Sequence, residues 1–368
     1  MKTLMGVINL DSEMDYLNEL TYFRCGAAVP FGGRYRLIDF VLSNMVNSNM
    51  SDIAVFTRKK YRSLMDHLGT GAAWDLDRKR GGLFILPPDW NDPTDISKGD
   101  LQHFHNNRDF FHRGLSQYVL ITGSQNICNI DYSKAFQAHL DSDADITVIY
   151  KPVDQLEEEH RQCHKLELDV NKQVLNITND HHNSNIGMGM YIMSKKLLLE
   201  LVEHCIARGM DNLFRDGVIG NLDRLNVHAY EYNGYLAVIN SIESYYKHSM
   251  SLLCPTVYSN LFFNEQVIYT KVKDEPPAKY LKGATVQNSL IANGCVIDGH
   301  VENSILFRGV HIEKGASVKN SIIMQRSDVK ENVQLENVIL DKDIILSPDR
   351  TFIGATEQPY VLAKRRVM

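Results

Sequence analysis

The stretch CVIDGHVENSILFRGVHIEKGASV (295–318) carries a small apolar residue about every six positions. This period is the signature of a hexapeptide repeat, in which short strands stack into a parallel β-helix. The stretch is rich in Val, Ile, Asn and Gly, a composition that favours strands and turns over helices. The sequence therefore predicts a β-helix in this part of the chain.

Related phrases recur in and around this stretch: VQNSLI (286–291), VENSIL (301–306), VKNSII (318–323) and LENVIL (335–340). Their first residues are 15, 17 and 17 positions apart. We therefore assign residues 281–368 to one β-helix domain. Before it, SIESYYKHSMSLL (241–253) predicts a helix with Ser241 as its N-cap, and KVKDEPPAKY (271–280) predicts a linker. A helix and a linker thus occupy residues 243–280.

Residues 1–242 alternate strand-like and helix-like segments. The runs SDIAVFT (51–57), QYVLITG (117–123) and DITVIY (145–150) are short and rich in β-branched residues. The segments between them have the apolar spacing of helices. This alternation predicts an α/β domain with a mostly parallel sheet that is covered by helices.

Composition limits the classes of function. The formal net charge is −6 and the sequence has no basic stripe, which argues against nucleic acid as a partner. No apolar run approaches the length of about 18 residues that a membrane helix needs. The six cysteines are scattered, as in reduced cytoplasmic proteins. The basic cluster at residues 364–366 is interpreted as a solvated tail, with an anion contact as the alternative.

The loop after the predicted first strand is acidic. Asp11, Glu13 and Asp15 lie in it, and no glycine occurs between Gly6 and Gly26. A phosphate-binding loop needs glycines, which let backbone N–H groups approach the phosphate, and a nearby cation. Carboxylates at the same place repel phosphate. We therefore expect no triphosphate at this loop.

The segment AAVPFGGRYRLIDFVLSNMVNSNMSDIAV (27–55) resembles the signature of the ADP-glucose pyrophosphorylases, also called glucose-1-phosphate adenylyltransferases. Three further segments are similar to the family in the same order: WDLDRKRGG (74–82), MGMYIMSKKLL (188–198) and IESYYKHSMSLL (242–253). The resemblance implies a Rossmann-like (GT-A type) nucleotidyltransferase domain followed by a left-handed parallel β-helix. It also implies a tetrameric oligomer in bacterial glycogen synthesis. Family enzymes join ATP and glucose 1-phosphate to give ADP-glucose and pyrophosphate.

The chain departs from the family at positions that bind metal or phosphate. The resemblance places Gln125 and Val238 where family enzymes have the two aspartates that bind Mg²⁺. Gly26 stands where the lysine of an Arg-Ala-Lys-Pro segment is expected. Carboxylate oxygens are the ligands that Mg²⁺ prefers, and an amide or an isopropyl group is a poor substitute. Because of these departures, we predict that this chain has no catalytic residue and no metal site.

These losses make the chain most like the non-catalytic, GlgD-type companion subunits of the family. We predict a regulatory, catalytically impaired subunit that forms a hetero-oligomer with a catalytic pyrophosphorylase subunit. The chain itself is predicted to need no cofactor, and Mg²⁺ is expected only in the catalytic partner. The first alternative is an active adenylyltransferase with a remodelled site.

Basic residues near the domain boundary suggest an effector site. Arg24 and Arg36 match family arginines that help to bind phosphate-bearing effectors between the domains. Lys342 falls near a basic β-helix position with a similar role. Paired guanidinium groups can hold a phosphate through directed hydrogen bonds. The alternative is structural salt bridging, for instance with Asp39 or with a neighbouring subunit.

Several histidines invite other interpretations. A remote alternative is a hexapeptide-repeat acyltransferase that uses His300 or His311 as a general base. HRQCH (160–164) and DHHNSN (180–185) resemble metal-ligand clusters, but metal binding also requires ligands from elsewhere in suitable geometry. We predict that both segments lie on the surface.

Overall fold

A computed structural model describes residues 3–11, 13, 16–88, 99–263, 266–364 and 367–368. In this part of the chain an α/β domain precedes a β-helix, as predicted. No described helix is both long and apolar enough to cross a membrane. The loop residue Asp15 and the tail residues Arg365 and Arg366 lie outside the described residues.

The α/β domain has its described strands in this order: β1 (Leu4–Asn9), β2 (Pro30–Phe31), β3 (Tyr35–Arg36), β4 (Asp52–Phe56), β5 (Gly82–Leu86), β6 (Tyr118–Thr122), β7 (Asn126–Cys128), β8 (Ile146–Pro152), β9 (Lys165–Leu168), β10 (Val174–Thr178), β11 (Asn185–Ser194), β12 (Val227–Glu231) and β13 (Leu236–Val238). The described α-helices are α1 (Leu37–Asn47), α2 (Arg62–Leu68), α3 (Asp100–Asn106), α4 (Arg108–Arg113), α5 (Tyr132–Asp141), α6 (Lys195–Ile206), α7 (Ile242–Ser251) and α8 (Pro255–Phe262). The three predicted strand runs became β4, β6 and β8. The predicted N-cap of α7 is confirmed, because the Ser241 hydroxyl accepts a hydrogen bond from the backbone N–H of Ser244 at 3.0 Å.

The central sheet is mixed rather than mostly parallel. Its main path runs β10-β9-β11-β6-β1-β4-β5, and β8 pairs with both β11 and β12. The half formed by β6, β1, β4 and β5 is parallel, as predicted. In the other half, β11 runs antiparallel to β6, β8 and β9. β9 and β10 also form an antiparallel pair, and their short connection is possible because antiparallel neighbours need no long crossover.

The β-helix consists of short strands in three parallel sheets of five strands each. One sheet contains β14 (Lys279–Tyr280), β17 (Val296–Ile297), β20 (His311–Ile312), β23 (Asp328–Val329) and β26 (Ile345–Leu346). The second contains β15 (Thr285–Gln287), β18 (His300–Glu302), β21 (Ser317–Lys319), β24 (Gln334–Glu336) and β27 (Thr351–Ile353). The third contains β16 (Leu290–Ile291), β19 (Ile305–Leu306), β22 (Ile322–Ile323), β25 (Val338–Leu340) and β28 (Tyr360–Leu362). This is the arrangement of a left-handed β-helix.

The repeated asparagine explains how four of the five described coils turn from the second sheet to the third. Asn288, Asn303, Asn320 and Asn337 all adopt left-handed backbone conformations, with φ between 42° and 54°. Asparagine tolerates this region better than other residues with a side chain. The residue after it is often serine, and the hydroxyl of Ser304 accepts from the backbone N–H of Ser321 in the next coil at 3.1 Å. The motif therefore encodes a corner.

The two apolar residues that follow that corner pack into two different cores. Leu306 points into the β-helix and packs in its interior, whereas its neighbour Ile305 belongs to a second core shared with the α/β domain. Phe31 and Phe40, from the segment that carries the family signature, lie in that shared core. The β-helix and this segment thus join the two domains of one chain.

Candidate functional site

A cavity of about 330 Å³ opens at the carboxyl ends of β1 and β6. Ligands of α/β proteins bind at this edge of the sheet. We call it the sheet-edge cavity. Its walls are formed by Asn9, Tyr16, Asp100, Ile121, Thr122, Gly123, Gln125, Asn126, Gln162, Cys163, His164, Gly187, Gly189, Tyr191, Asn212, Phe214, Val238 and Asn240.

Gln125 and Val238 both line this cavity, so the structure brings the two predicted metal positions together. Strands β7 and β13 pair antiparallel, and the backbone N–H of Ile239 donates to the carbonyl oxygen of Gln125 at 2.9 Å. Asp100 is the only carboxylate among the described lining residues, and neither Lys nor Arg occurs among them. The described wall of this cavity therefore lacks the cations that phosphate binding needs.

The acidic loop reaches the rim of this cavity through Glu13. The carboxylate of Glu13 accepts a hydrogen bond from the backbone N–H of Ser124 and another from its hydroxyl, the latter at 2.9 Å. A Cβ atom built on Gly123 would lie only 2.8 Å from Oε1 of Glu13. Burial raises the pKa of Glu13 to about 7. Glu13 thus fills the space beside the turn that connects β6 to β7.

Two further carboxylates, those of Asp11 and Asp100, form polar contacts with other residues of the chain. The side chain of Asp11 is buried and lies 3.1 Å from Nε of Arg58. Asp100 accepts hydrogen bonds from the Asn9 amide at 2.7 Å and from the backbone N–H of Leu213 at 2.9 Å. Burial raises the pKa of Asp100 to about 6. These contacts stabilise the loop and the cavity wall without a bound ligand.

Restoring one metal ligand is expected to leave the chain inactive. Gln125→Asp or Val238→Asp supplies one carboxylate, while the other carboxylate, the glycine loop and the phosphate-binding lysines stay absent. Because residues of one catalytic unit act together, the gain should be less than about tenfold. Pyrophosphate release from ATP and glucose 1-phosphate measures it, with Gln125→Asn as a control that keeps the amide. Activity near that of a catalytic relative after one change would contradict our interpretation.

A second cavity, of about 200 Å³, lies at the domain boundary and is strongly basic. Arg36 and Lys342, predicted as effector ligands, both line it. We call it the cationic cavity. The basic residues in its wall are Arg34, Arg36, Lys271, Lys273, Arg308, Arg326, Lys342 and Lys364, and the acidic ones are Asp66 and Glu275. Its geometry suits a compact anion with several negative charges.

Burial and neighbouring positive charges lower the pKa values of two basic residues in this cavity. Burial, together with the nearby Arg36 and Arg24, lowers the pKa of Lys342 to about 6. Burial also lowers the pKa of Arg36 to about 10, although Asp39 opposes the shift. An anion in the cavity would favour the charged form of both groups. Anion binding should therefore be coupled to protonation of Lys342.

Arg24 occupies a different environment from the other two predicted effector residues. It is 2% exposed and forms an ion pair with the fully buried Asp341 of the β-helix. It does not belong to the described wall of the cationic cavity. Asp39, named in the alternative of structural salt bridging, accepts a hydrogen bond from the backbone N–H of Arg36 at 3.0 Å and contacts His67 at 2.6 Å. The Arg36 guanidinium donates to the carbonyl oxygen of Ser63 at 2.7 Å.

Other predicted positions lie elsewhere. Gly26 begins a 3₁₀ turn and lines neither cavity in the described structure. His300 and His311 lie on different sheets of the β-helix, where they pair with Glu302 at 3.3 Å and Asp328 at 3.2 Å.

DHHNSN is largely exposed, as predicted, but HRQCH is not wholly a surface segment, because His160 is buried. The Nδ1 atom of His160 accepts from the backbone N–H of Glu157. Glu157, Glu159 and His160 place possible metal ligands within 4.8 Å of one another. The ammonium group of Lys247 contacts both carboxylates of this group.

Sequence reasoning missed five basic residues of the cationic cavity: Arg34, Lys271, Lys273, Arg308 and Arg326. Lys271 and Lys273 alternate in the KVK segment that we predicted as a linker. In an extended chain such alternate residues point to the same side, which was an available signal. Arg308 and Arg326 meet because neighbouring coils stack, and the backbone N–H of Arg326 donates to the Arg308 carbonyl oxygen at 3.1 Å. Lys364, predicted as part of a solvated tail, also reaches this cavity.

Comparison with known proteins agrees with this architecture. Residues 16–213 match the family described as "Nucleotidyl transferase", and residues 276–359 match "GlmU-like, C-terminal hexapeptide". The chain is 41% identical to the glycogen biosynthesis protein GlgD of Bacillus subtilis (strain 168), over 98% of this chain and 96% of the relative. Identity to GlgD of Geobacillus stearothermophilus is also 41%, over 99% of this chain and 97% of the relative.

Similarity extends to enzymes of the same family. The glucose-1-phosphate adenylyltransferase of Clostridium perfringens (strain 13 / Type A) is 33% identical, over 89% of this chain and 85% of the relative. The matches thus span both domains. The chain therefore belongs to the glucose-1-phosphate adenylyltransferase family of nucleotidyltransferases, and within it the chain is more similar to these two GlgD proteins than to that adenylyltransferase.

Proposed function

We propose that this chain is a regulatory, catalytically impaired subunit of a glucose-1-phosphate adenylyltransferase in glycogen biosynthesis. One observation carries the proposal: the distribution of charge between the two cavities. The sheet-edge cavity has no Lys or Arg among its described lining residues, whereas eight line the cationic cavity at the domain boundary. Phosphate chemistry needs cations around the reacting groups. The charge pattern supports anion binding at the boundary and argues against phosphate chemistry at the sheet edge.

The position of the cationic cavity supports a regulatory role. Its wall combines the β2–β3 turn, the linker after α8 and the turns of the β-helix. An anion that contacts all three would bind more tightly to one relative arrangement of the domains than to another. Such differential binding is what allows a ligand to shift a conformational equilibrium. The effector we propose is a phosphate-bearing metabolite.

The relatives support the biological setting. Two GlgD proteins that align with almost the whole chain are named for glycogen biosynthesis, and the adenylyltransferases are named for the reaction. We propose a cytoplasmic hetero-oligomer, a tetramer in form, in which a catalytic subunit binds Mg²⁺ and this chain requires no cofactor. Neither nucleic acid nor a membrane is a proposed partner.

A mixing experiment tests the regulatory role. The chain should co-purify with a catalytic adenylyltransferase from the same organism and change its turnover or its response to phosphate-bearing effectors. Inorganic phosphate and a sugar bisphosphate serve as probes. If the chain binds no catalytic subunit, or binds one without changing its kinetics at any effector concentration, the regulatory proposal is wrong. High activity of the chain alone would instead favour a remodelled active enzyme.

Variants connect the effect to the cationic cavity. Arg36→Ala and Lys273→Ala should each raise the half-saturating effector concentration by at least about tenfold, because a hydrogen bond to a charged group contributes about 1.5–3 kcal/mol. Lys196→Ala is a matched control, since Lys196 is exposed on α6, pairs with Glu200 and lines neither cavity in the part of the chain that the structure describes. Assembly with the catalytic subunit, followed by gel filtration, should be the same in all three variants. An unchanged effector response in the two cavity variants would place the effector elsewhere.

A further inference from the structure

We propose that the sheet-edge cavity binds an uncharged sugar ring, the terminal glucosyl unit of an α-glucan, instead of a nucleotide or a sugar phosphate. This inference goes beyond regulation by an anion, because it assigns a ligand to the cavity that has lost its catalytic groups. The preference for an uncharged sugar rests on the cavity alone. The choice of glucose as the sugar rests on the proposed function in glycogen biosynthesis.

Neutral amides dominate the polar part of the wall: Asn9, Gln125, Asn126, Gln162, Asn212 and Asn240. An amide carries both donors and an acceptor, which match the hydroxyl groups of a sugar. Several of these side chains are already held in place. The amide nitrogen of Asn126 donates to the Met188 carbonyl oxygen at 2.6 Å, and that of Asn240 donates to the Glu159 carbonyl oxygen at 2.8 Å. Groups fixed in advance lose less conformational entropy when a ligand binds.

An aromatic surface lies beside the amides. The ring centroid of Phe214 lies 5.3 Å from that of Tyr191 and 5.3 Å from that of His164. The apolar C–H face of a pyranose can pack on such rings while its hydroxyl groups reach the amides, the combination of apolar walls and few polar groups that ligand sites use. At Gly189, with φ of +62°, no atom lies within 4 Å of an added Cβ. The backbone is therefore open there.

Charge and size both disfavour a phosphorylated ligand. Asp100 lines the cavity, and Glu13 packs against Gly123 at its rim. A phosphate in the cavity would meet the Asp100 carboxylate without a described Lys or Arg in the wall to offset the repulsion. The volume of about 330 Å³ is at the small end of the range for ligand sites. A single sugar ring suits this volume better than a nucleotide does.

Ligand-observed NMR on the intact chain tests the proposal, with maltose, lactose, glucose 1-phosphate and ATP as probes. Maltose should show saturable binding, and glucose 1-phosphate should bind at least about tenfold more weakly, in line with the cost of an unpaired charge. Lactose, whose terminal sugar is galactose, should bind more weakly than maltose. The proposal is overturned if maltose does not bind, if a phosphorylated probe binds more tightly, or if lactose equals maltose.

Three variants test whether maltose binds in this cavity. Gln162→Ala removes an exposed amide from the wall, and Gln173→Ala removes another exposed amide outside it. Maltose affinity should fall several-fold in the first and stay unchanged in the second, because a lost hydrogen bond costs about 1 kcal/mol. Phe214→Ala should cause a larger loss, with circular dichroism as the folding control. Equal effects of the two glutamine changes would overturn the site. None of these results depends on the mixing experiment, so the two proposals can fail separately.

Discussion

The isolated chain is expected to make ADP-glucose from ATP and glucose 1-phosphate at least about a thousandfold more slowly than a catalytic glucose-1-phosphate adenylyltransferase. Loss of one preorganised charged group typically reduces an enzyme's rate by about 10²–10³. Here Gln125 and Val238 occupy the expected metal positions, and Glu13 lies in the loop where phosphate binding is expected and packs against the β6–β7 turn. These losses concern metal, nucleotide and phosphate at once. The effect should therefore exceed that of any single substitution.

An assay of pyrophosphate release by the purified protein in the presence of Mg²⁺ tests this prediction. A catalytic relative purified in the same way is the positive control, since trace contamination of about 0.1% would set the lower limit at the predicted thousandfold reduction. Expression in a host without its own adenylyltransferase removes that background. Turnover within about tenfold of the control would contradict catalytic impairment and favour the remodelled enzyme.

Replacement of Arg24 by Ala is expected to destabilise the protein by about 3–5 kcal/mol. Arg24 and Asp341 are both buried, and they join the α/β domain to the β-helix. Removal of the arginine leaves the Asp341 carboxylate buried without its counter-ion, which is more costly than loss of an exposed pair. Urea denaturation monitored by circular dichroism should detect the loss. An exposed pair provides the matched control: Arg78→Ala, next to Asp75, should cost less than about 1 kcal/mol.

The same variant separates two roles of Arg24. If Arg24 is structural, the double change Arg24→Met with Asp341→Leu should recover much of the stability, because apolar groups of similar volume can replace a buried ion pair. If Arg24 instead serves an effector, Arg24→Ala should leave stability unchanged and weaken only the effector response. That second outcome would contradict the structural assignment.

Local features of the sequence predicted the secondary structure well where one residue type controls the backbone. The recurring asparagine of VENSIL and VKNSII marks corners of the β-helix because it adopts a left-handed conformation there. Ser241 predicted the start of α7, because its hydroxyl caps that helix. The mixed character of the central sheet could not be predicted from the same signals. The direction of β11 depends on the strands with which it pairs. The alternation of residues along a strand is the same in either direction, so it does not predict that pairing.

The sequence by itself determined the two-domain architecture and the β-helix, because these depend on residue type and on spacing along the chain. The loss of carboxylates at Gln125 and Val238 is what the resemblance to the family implies. Only the tertiary structure decided which basic residues form a buried ion pair and which line the cationic cavity. Arg24, Arg36 and Lys342 look equivalent as cations in the sequence, yet Arg24 is neutralised by Asp341 while the other two face the cationic cavity. Arg308 and Lys273 join them there only through coil stacking and the path of the linker. The physical reason is that electrostatic interactions depend on distance and burial, which residues far apart in the chain acquire only when the domains pack.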